Sequence, residues 1–220
     1  MIPAKFTIAV GGSRKAKQWK NKELSWQDLL AKLSTTTRTR ESAAEYAKLS
    51  KLRQDEIKDV GGFVGGYVKD GRRIASNVVK RQLVTLDADF ADSSFMTILD
   101  LVLSDVLYAV YSTHKHMPDK PRLRVVIPLA RAVQPDAYQA IARRIADDIG
   151  MDFFDDTTYE AERLMYWPST SADGEYAFFS NESDKCLDPD DVLSTYDDWH
   201  DTSTWPESSR ANKIRQAAAK

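Results

Sequence analysis

From Leu83 onward the apolar segments follow a fixed order, and that order limits the folds open to the chain. Leu83 to Phe90 reads as a strand, Ser93 to Leu103 as an apolar helix capped by Ser93 or Ser94, and Leu107 to Ser112 as a strand. A polar loop with Pro118 and Pro121 follows. Leu123 to Leu129 is then a strand, Pro135 to Ile149 a helix and Leu164 to Trp167 a strand, with Tyr176 to Phe179 a candidate extra strand. Tyr138, Ile141, Ile145 and Ile149 give the second helix one apolar stripe. The order βαββαβ is that of the split βαβ fold, which closes into a four-stranded antiparallel sheet with two helices on one face.

The first part of the chain has a different texture. A short strand (Phe6 to Val10) leads through Gly-Gly-Ser to the basic run Arg14-Lys15-Ala16-Lys17. Ser25 caps a helix from Trp26 to about Leu33. A second helix is expected from about Glu41 to Asp59, on the spacing of Ala43, Tyr46, Ala47, Leu49, Leu52 and Ile57. Gly61-Gly62-Phe63-Val64-Gly65-Gly66 reads as a tight turn between helix and strand, and Lys69 to Arg73 as a polar turn. The expected class is α+β: an RRM-like (split βαβ) antiparallel sheet joined to an N-terminal mixed α/β basic subdomain. Residues 1–81 would be that subdomain, 82–180 the RRM-like core and 181–220 an acidic extension, together one domain.

Composition narrows the function. At 42% hydrophobic and 10% aromatic, the 220 residues suffice for a packed core and exclude disordered or collagen-like readings. The single cysteine, Cys186, excludes an intramolecular disulfide and a cysteine-based zinc site. No apolar run is long enough to span a membrane, no signal peptide is legible, and the lone cysteine fits a reducing cytoplasm as the expected location. Residues 1–81 carry 18 Lys and Arg against 8 Asp and Glu; residues 82–220 carry 13 against 25. A basic half joined to an acidic half points to a polyanionic partner, with divalent metals on the acidic side. Glu182 to Asp201 reads as a solvated acidic surface rather than a site.

Three places carry chemistry. In Val84-Thr85-Leu86-Asp87-Ala88-Asp89-Phe90, strand alternation puts Asp87 and Asp89 on one face. Two such carboxylates repel unless a cation lies between them, and hard oxygen ligands suit Mg²⁺ or Mn²⁺. Two acids at an exposed strand end would look the same. Next, Ser112-Thr113-His114 closes a strand, and Lys115, His116, Arg122 and Arg124 follow. A histidine beside two arginines makes a cradle for phosphate oxygens. Last, Asp155-Asp156-Thr157-Thr158 precedes Arg163-Leu164-Met165. Asp155 could approach the first pair of acids, and the same four residues equally suit an Asx turn.

Together the series resembles the three motifs of the archaeo-eukaryotic primase superfamily: an apolar D-x-D, an S-x-H and an apolar-D, in that order. It looks most like the primase-polymerase domains of phage, plasmid and mobile-element replication proteins, over roughly Lys58 to Ser169. The resemblance implies that Asp87, Asp89 and Asp155 are catalytic and ligate two Mg²⁺ or Mn²⁺ ions, with Asp156 a one-position alternative to Asp155. It implies that His114 meets the phosphates of an incoming NTP or dNTP, with Ser112, Arg122 and Arg124 beside it. The basic half (Arg14, Lys15, Lys17, Arg72, Arg73, Lys80 and Arg81) would then track a single-stranded or primed DNA template.

Relatives of this kind often continue into a helicase domain. This chain shows no Walker lysine motif before Lys220, so it reads as an isolated catalytic domain or an excised fragment, with a helicase as a possible partner. Three other readings stay open. A metal-dependent single-strand nuclease would use the same acids, a nucleotide-sugar transferase would use the same D-x-D, and a non-catalytic RRM-like module would bind nucleic acid through exposed strand aromatics.

Overall fold

The computed structural model describes residues 2–218. The first layer begins with β1 (Phe6–Gly11), paired antiparallel with β2 (Lys20–Leu24). Helix α1 (Trp26–Leu33) starts in a reciprocal cap: Ser25 Oγ accepts from the Asp28 amide, and the Asp28 carboxylate accepts from the Ser25 amide. Its Trp26, Leu29 and Leu33 are buried at helical spacing. A two-residue strand, β3 (Thr37–Arg38), follows.

The helix expected over Glu41 to Asp59 is two helices, α2 (Ala43–Lys48) and α3 (Lys51–Ile57). Ser42 and Glu45 cap the first, Leu49 turns extended, and Ser50 caps the second. Buried Gln54 stabilises the break. Its Nε2 donates to the carbonyls of Tyr46 and Leu49, and Tyr46 Oη donates back to the Gln54 carbonyl. Those bonds satisfy carbonyls that a helix end leaves unpaired.

The glycine-rich segment is not a turn but two strands, β4 (Gly62–Val64) and β5 (Gly66–Val68), which belong to different sheets. Close backbone approach requires the glycines: a Cβ on Gly62 would collide with the Met165 carbonyl oxygen, and one on Gly66 with that of Lys80. The polar turn at Lys69 is a single 3₁₀ turn, Lys69–Gly71.

The second layer holds β6 (Val78–Ala88), α4 (Phe95–Val102), β7 (Ala109–Ser112), β8 (Leu123–Val133) and α5 (Pro135–Ile149). Ser94 stands at the α4 cap position, but its hydroxyl donates to Asp92 instead. Then come β9 (Met165–Tyr166), β10 (Ser169–Thr170), β11 (Phe178–Ser180), α6 (Pro189–Leu193) and α7 (Ser209–Ala218).

The larger sheet has the order β11-β7-β8-β6-β5, and a second sheet runs β2-β1-β4-β9. Strands β7, β8 and β6 are antiparallel neighbours in the split βαβ order, and β11 is the extra strand. The class is α+β with antiparallel sheets. The fourth strand differs from expectation. The edge beside β6 is taken by β5, while β9 pairs with β4 in the other sheet.

A boundary at residue 81 also falls inside the eleven-residue β6. The apolar clusters cross it as well. One packs α4 and α5 on one sheet face, with Val64 and Val68 of the first layer among them. The other joins Phe6, Ile8, Trp26 and Phe63 to Leu83, Ala109, Tyr111 and Val126 on the opposite face. In the acidic extension all the acids but half-buried Glu207 are exposed, while Val192, Leu193 and Tyr196 are buried, with Tyr196 Oη donating to the Ala140 carbonyl. Among the described residues no helix is long and apolar enough to cross a membrane.

Candidate active site

Register places the first charges. Asp87 on β6 lies opposite Arg124 on β8, and Arg124 lies opposite Tyr111 on β7. Three side chains from three strands thus share one row at the end of the sheet. Past the strand end, Arg122 Nη1 donates to Asp89 Oδ1 at 2.9 Å. The third acid is fixed to the first through the backbone, since the Asp155 amide donates to the Asp87 carbonyl at 2.9 Å. The Asp87 amide in turn donates to Thr158 Oγ1 at 2.8 Å. Asp155 also closes the Asx turn with Thr157, so that local reading and its place beside Asp87 hold together. Asp156 instead approaches Arg210 on α7, at 3.6 Å.

Asp87, Asp89 and Asp155 line a cleft of about 500 Å³ together with His114, Arg122, Arg124 and Arg163. Arg14, Lys15 and Arg73, read from the sequence as template contacts, line it too, and so do Lys51, Lys58 and Lys115. Asp55 and Glu160 add the remaining acids, so basic side chains outnumber acidic ones in this cleft although the whole chain is slightly acidic. An excess of fixed cations around a few carboxylates suits a polyanionic ligand.

Each of the three motif carboxylates stands next to an arginine. Asp87 Oδ1 lies 3.5 Å from Arg124 Nε, and both atoms are buried without a hydrogen bond. Asp155 lies 3.6 Å from Arg163. Burial pushes the Asp87 carboxyl up, with Asp89 and Asp155 adding to the rise and Arg124 and Arg163 opposing it. Burial works against the Arg124 charge, but Asp87, Tyr111 and Asp89 together outweigh it and raise the guanidinium further. For Asp155 burial acts upward, while the Thr157 hydrogen bonds and Arg163 hold it below the ordinary carboxylate range.

The donor set is chemically suited to a hard divalent cation: three carboxylates, one with an oxygen lacking any donor. With the side chains on their arginines, no group of three His, Cys, Asp or Glu among the described residues is spaced to hold a metal ion.

His114 lies at the cleft wall with both nitrogens engaged. Nδ1 is 2.9 Å from Ser169 Oγ, and Nε2 is 3.2 Å from Glu41 Oε1. The Tyr46 ring lies over it, with 4.3 Å between centroids. Burial pushes its pKa down, and Glu41 opposes that shift. A phosphate oxygen reaches either nitrogen only by displacing a partner.

Several sequence expectations need correction. Ser112 does not face the cleft: it is fully buried, and its Oγ accepts from the Ala177 amide, joining β7 to the segment before β11. Arg81 is no surface contact for DNA. It is fully buried over the Tyr138 ring and donates to the carbonyls of Gly65, Leu83 and Ala161 and to Thr85 Oγ1. Lys17 and Arg72 are exposed and Lys80 half-buried, all outside the cleft lining. His116 is oriented after all, accepting from the Arg122 amide and facing a separate, more apolar pocket of about 300 Å³.

The residues that sequence reasoning missed are Glu41, Lys51, Asp55, Lys58 and Arg163. The first four look like the polar face of an ordinary helix, and only Arg163 stood beside a motif.

The profile of the VapE N-terminal domain family matches residues 2–208. The chain belongs to that family. No curated protein matches the chain. Among solved structures, this VapE-family chain is similar to the AEP domain of the cyanophage S-2L primase-polymerase, at 14% identity and a TM-score of 0.46 over 87% of this chain and 88% of that one. The match to the VapE N-terminal domain covers β1 through α6 and so includes every cleft residue named above.

Proposed function

We propose that this chain is a replication nucleotidyltransferase, a primase-polymerase domain that adds NTPs or dNTPs to a primer or starts one on a DNA template. The observation that carries the reading is the meeting of Asp87 and Asp89, from the end of β6, with Asp155 from a distant segment and an excess of Lys and Arg in one cleft. The motif resemblance over Lys58 to Ser169 and membership of the VapE N-terminal domain family support it. In this reading Asp87, Asp89 and Asp155 would hold one or two Mg²⁺ or Mn²⁺ ions. When bound, the metal supplies Lewis-acid activation of the primer hydroxyl and neutralises charge on the transferred phosphate.

This chain's own residues do the rest. Arg122, Arg124 and Arg163 stand beside the carboxylates, where they can release an acid and take up phosphate oxygens. Glu41 and Ser169 orient the His114 ring, which closes the wall of the cleft. Lys17 and Arg72, exposed outside the cleft, and Lys15 at its lining are positioned to follow template phosphates. A helicase partner and a bacterial cytoplasmic location belong to the same proposal. The strand aromatic Tyr111 is fully buried under the second sheet and offers no face on which a base could stack.

The test is incubation with labelled NTPs or dNTPs on primed and unprimed single-stranded DNA, with Mg²⁺ or Mn²⁺. Extension or primer synthesis supports the proposal. Shortening of the DNA makes the protein a nuclease, and binding without turnover makes it an accessory module.

A further inference from the structure

A second group of charges in the cleft is left unused by that reading. Asp55 on α3 touches three cations at once: Oδ1 lies 2.9 Å from Lys58 Nζ and 3.2 Å from Lys51 Nζ, and Oδ2 lies 3.1 Å from Arg14 Nη1. The positions are fixed from both sides. Asp59 clamps the turn that carries Arg14, accepting from the Arg14 amide at 2.9 Å and from Ser13 Oγ at 2.7 Å. Lys58 also lies over the Tyr166 ring, at 5.1 Å. One carboxylate offsets one of three positive charges, and the remaining two are held in a cleft where Lys115 adds another. Asp55 lies between these cations but leaves the group net positive, which favours a further anion.

We propose that Arg14, Lys51 and Lys58, arranged by Asp55, form a binding site for a chain of phosphates. Two sources share that chemistry: the triphosphate of a nucleotide and consecutive phosphates of single-stranded DNA. The triphosphate is favoured, because cations that all touch one carboxylate converge on a point instead of lying in a row. The assignment to an incoming nucleotide rests on the proposed function; the phosphate site itself does not.

Calorimetry on the whole chain, without divalent metal, tests the site using inorganic tripolyphosphate and, separately, an oligothymidylate. Tripolyphosphate affinity should fall about ten- to a hundredfold in Lys58→Gln and Arg14→Gln, as expected for losing a charge-assisted contact, while oligothymidylate binding changes little. Lys51→Gln should act in the same direction and cannot fail through misfolding, since that side chain is 71% exposed.

Asp55→Asn separates an organised site from a diffuse positive patch. It adds net positive charge, so a mere patch gains tripolyphosphate affinity, whereas an arranged site loses it. Gain of affinity in Asp55→Asn, absence of tripolyphosphate binding by the unaltered chain, or losses confined to the oligothymidylate would each overturn the proposal. Should the unaltered chain bind tripolyphosphate yet incorporate no nucleotide, the phosphate site stands and the polymerase reading fails.

Discussion

Two groups of charges share one cleft and are built in opposite ways. Around β6 and β8 the pairing is one to one: Asp87 with Arg124, Asp89 with Arg122, and Asp155 with Arg163. At α3 one carboxylate serves three cations. The first group is nearly neutral, with Asp87 and Arg124 set by strand register and the others beside them at the strand ends and in loops, so a cation or an anion can enter it only by exchange. The second carries surplus positive charge and is held by a short helix and a clamped turn, so it accepts an anion with no exchange. What a cleft binds therefore depends on how its charges are paired more than on how many it has.

The largest expected effect breaks the one-to-one group. Asp89→Ala should reduce incorporation on the order of a hundredfold or more, since it removes a group proposed to act at the reacting phosphate. The fold should survive, because Asp89 and Arg122 are both partly solvated. Asp87→Ala is the less clean variant. It strands buried Arg124 and should cost about 3–5 kcal/mol of stability as well, read by denaturant unfolding. Full incorporation by Asp89→Ala at saturating Mg²⁺ or Mn²⁺ would end the metal-site reading.

A smaller effect lies at the cleft wall. His114→Ala should cost roughly ten- to a hundredfold in incorporation, and His116→Ala almost nothing, since His116 faces the other pocket. Glu41→Gln should move the His114 titration, followed by NMR, further down, because the carboxylate that opposes the burial shift is gone. An unchanged titration would show that Glu41 does not act on His114.

The second group makes a pH prediction. Asp55 is held down to about 2 by Lys58 and Lys51 against the upward push of partial burial. A carboxylate whose folded pKa is depressed stabilises the fold above its unfolded value of about 4, and that contribution fades as pH falls towards 2. The melting temperatures of the unaltered chain and Asp55→Asn should differ at neutral pH and converge in that window. The smallest effect is expected outside the cleft. Arg72→Gln or Lys17→Gln should flatten the salt dependence of single-stranded DNA binding by about one unit of slope per lost phosphate contact.

How far the sequence revealed this arrangement depended on the kind of signal. Helices α1 and α5 were legible to the residue, since Ser25 and Pro135 mark starts that hydrogen bonding and a fixed φ enforce. The order of β6, α4, β7, β8 and α5 followed from periodicity. Misreadings arose where long-range partners decided the outcome. Glycines 62 and 66 resemble turn residues, yet strand crowding selects them; Ser50 interrupts a helical pattern only because Gln54 caps the break. Arg81 looks solvated by composition and is buried because four oxygens and a ring surround it. The motif acids were visible in the chain. Asp55, Lys51 and Lys58 were not, since the polar face of a helix gives no sign of whether it meets water or a cleft.

The crossing at Gly65 has a consequence for how the molecule can move. β4 ends at Val64 and β5 starts at Gly66, so a single residue carries the chain from one sheet to the other. That residue is pinned, its carbonyl accepting from the amides of Gln82 and Leu83 and from Arg81 Nε. The two sheets are therefore coupled at that point, with no free linker residue between them. Genetically the crossing is a weak point: a methyl at Gly65 would press on Leu83 Cβ at 2.8 Å. Substitution there should yield temperature-sensitive alleles in which both layers are lost together.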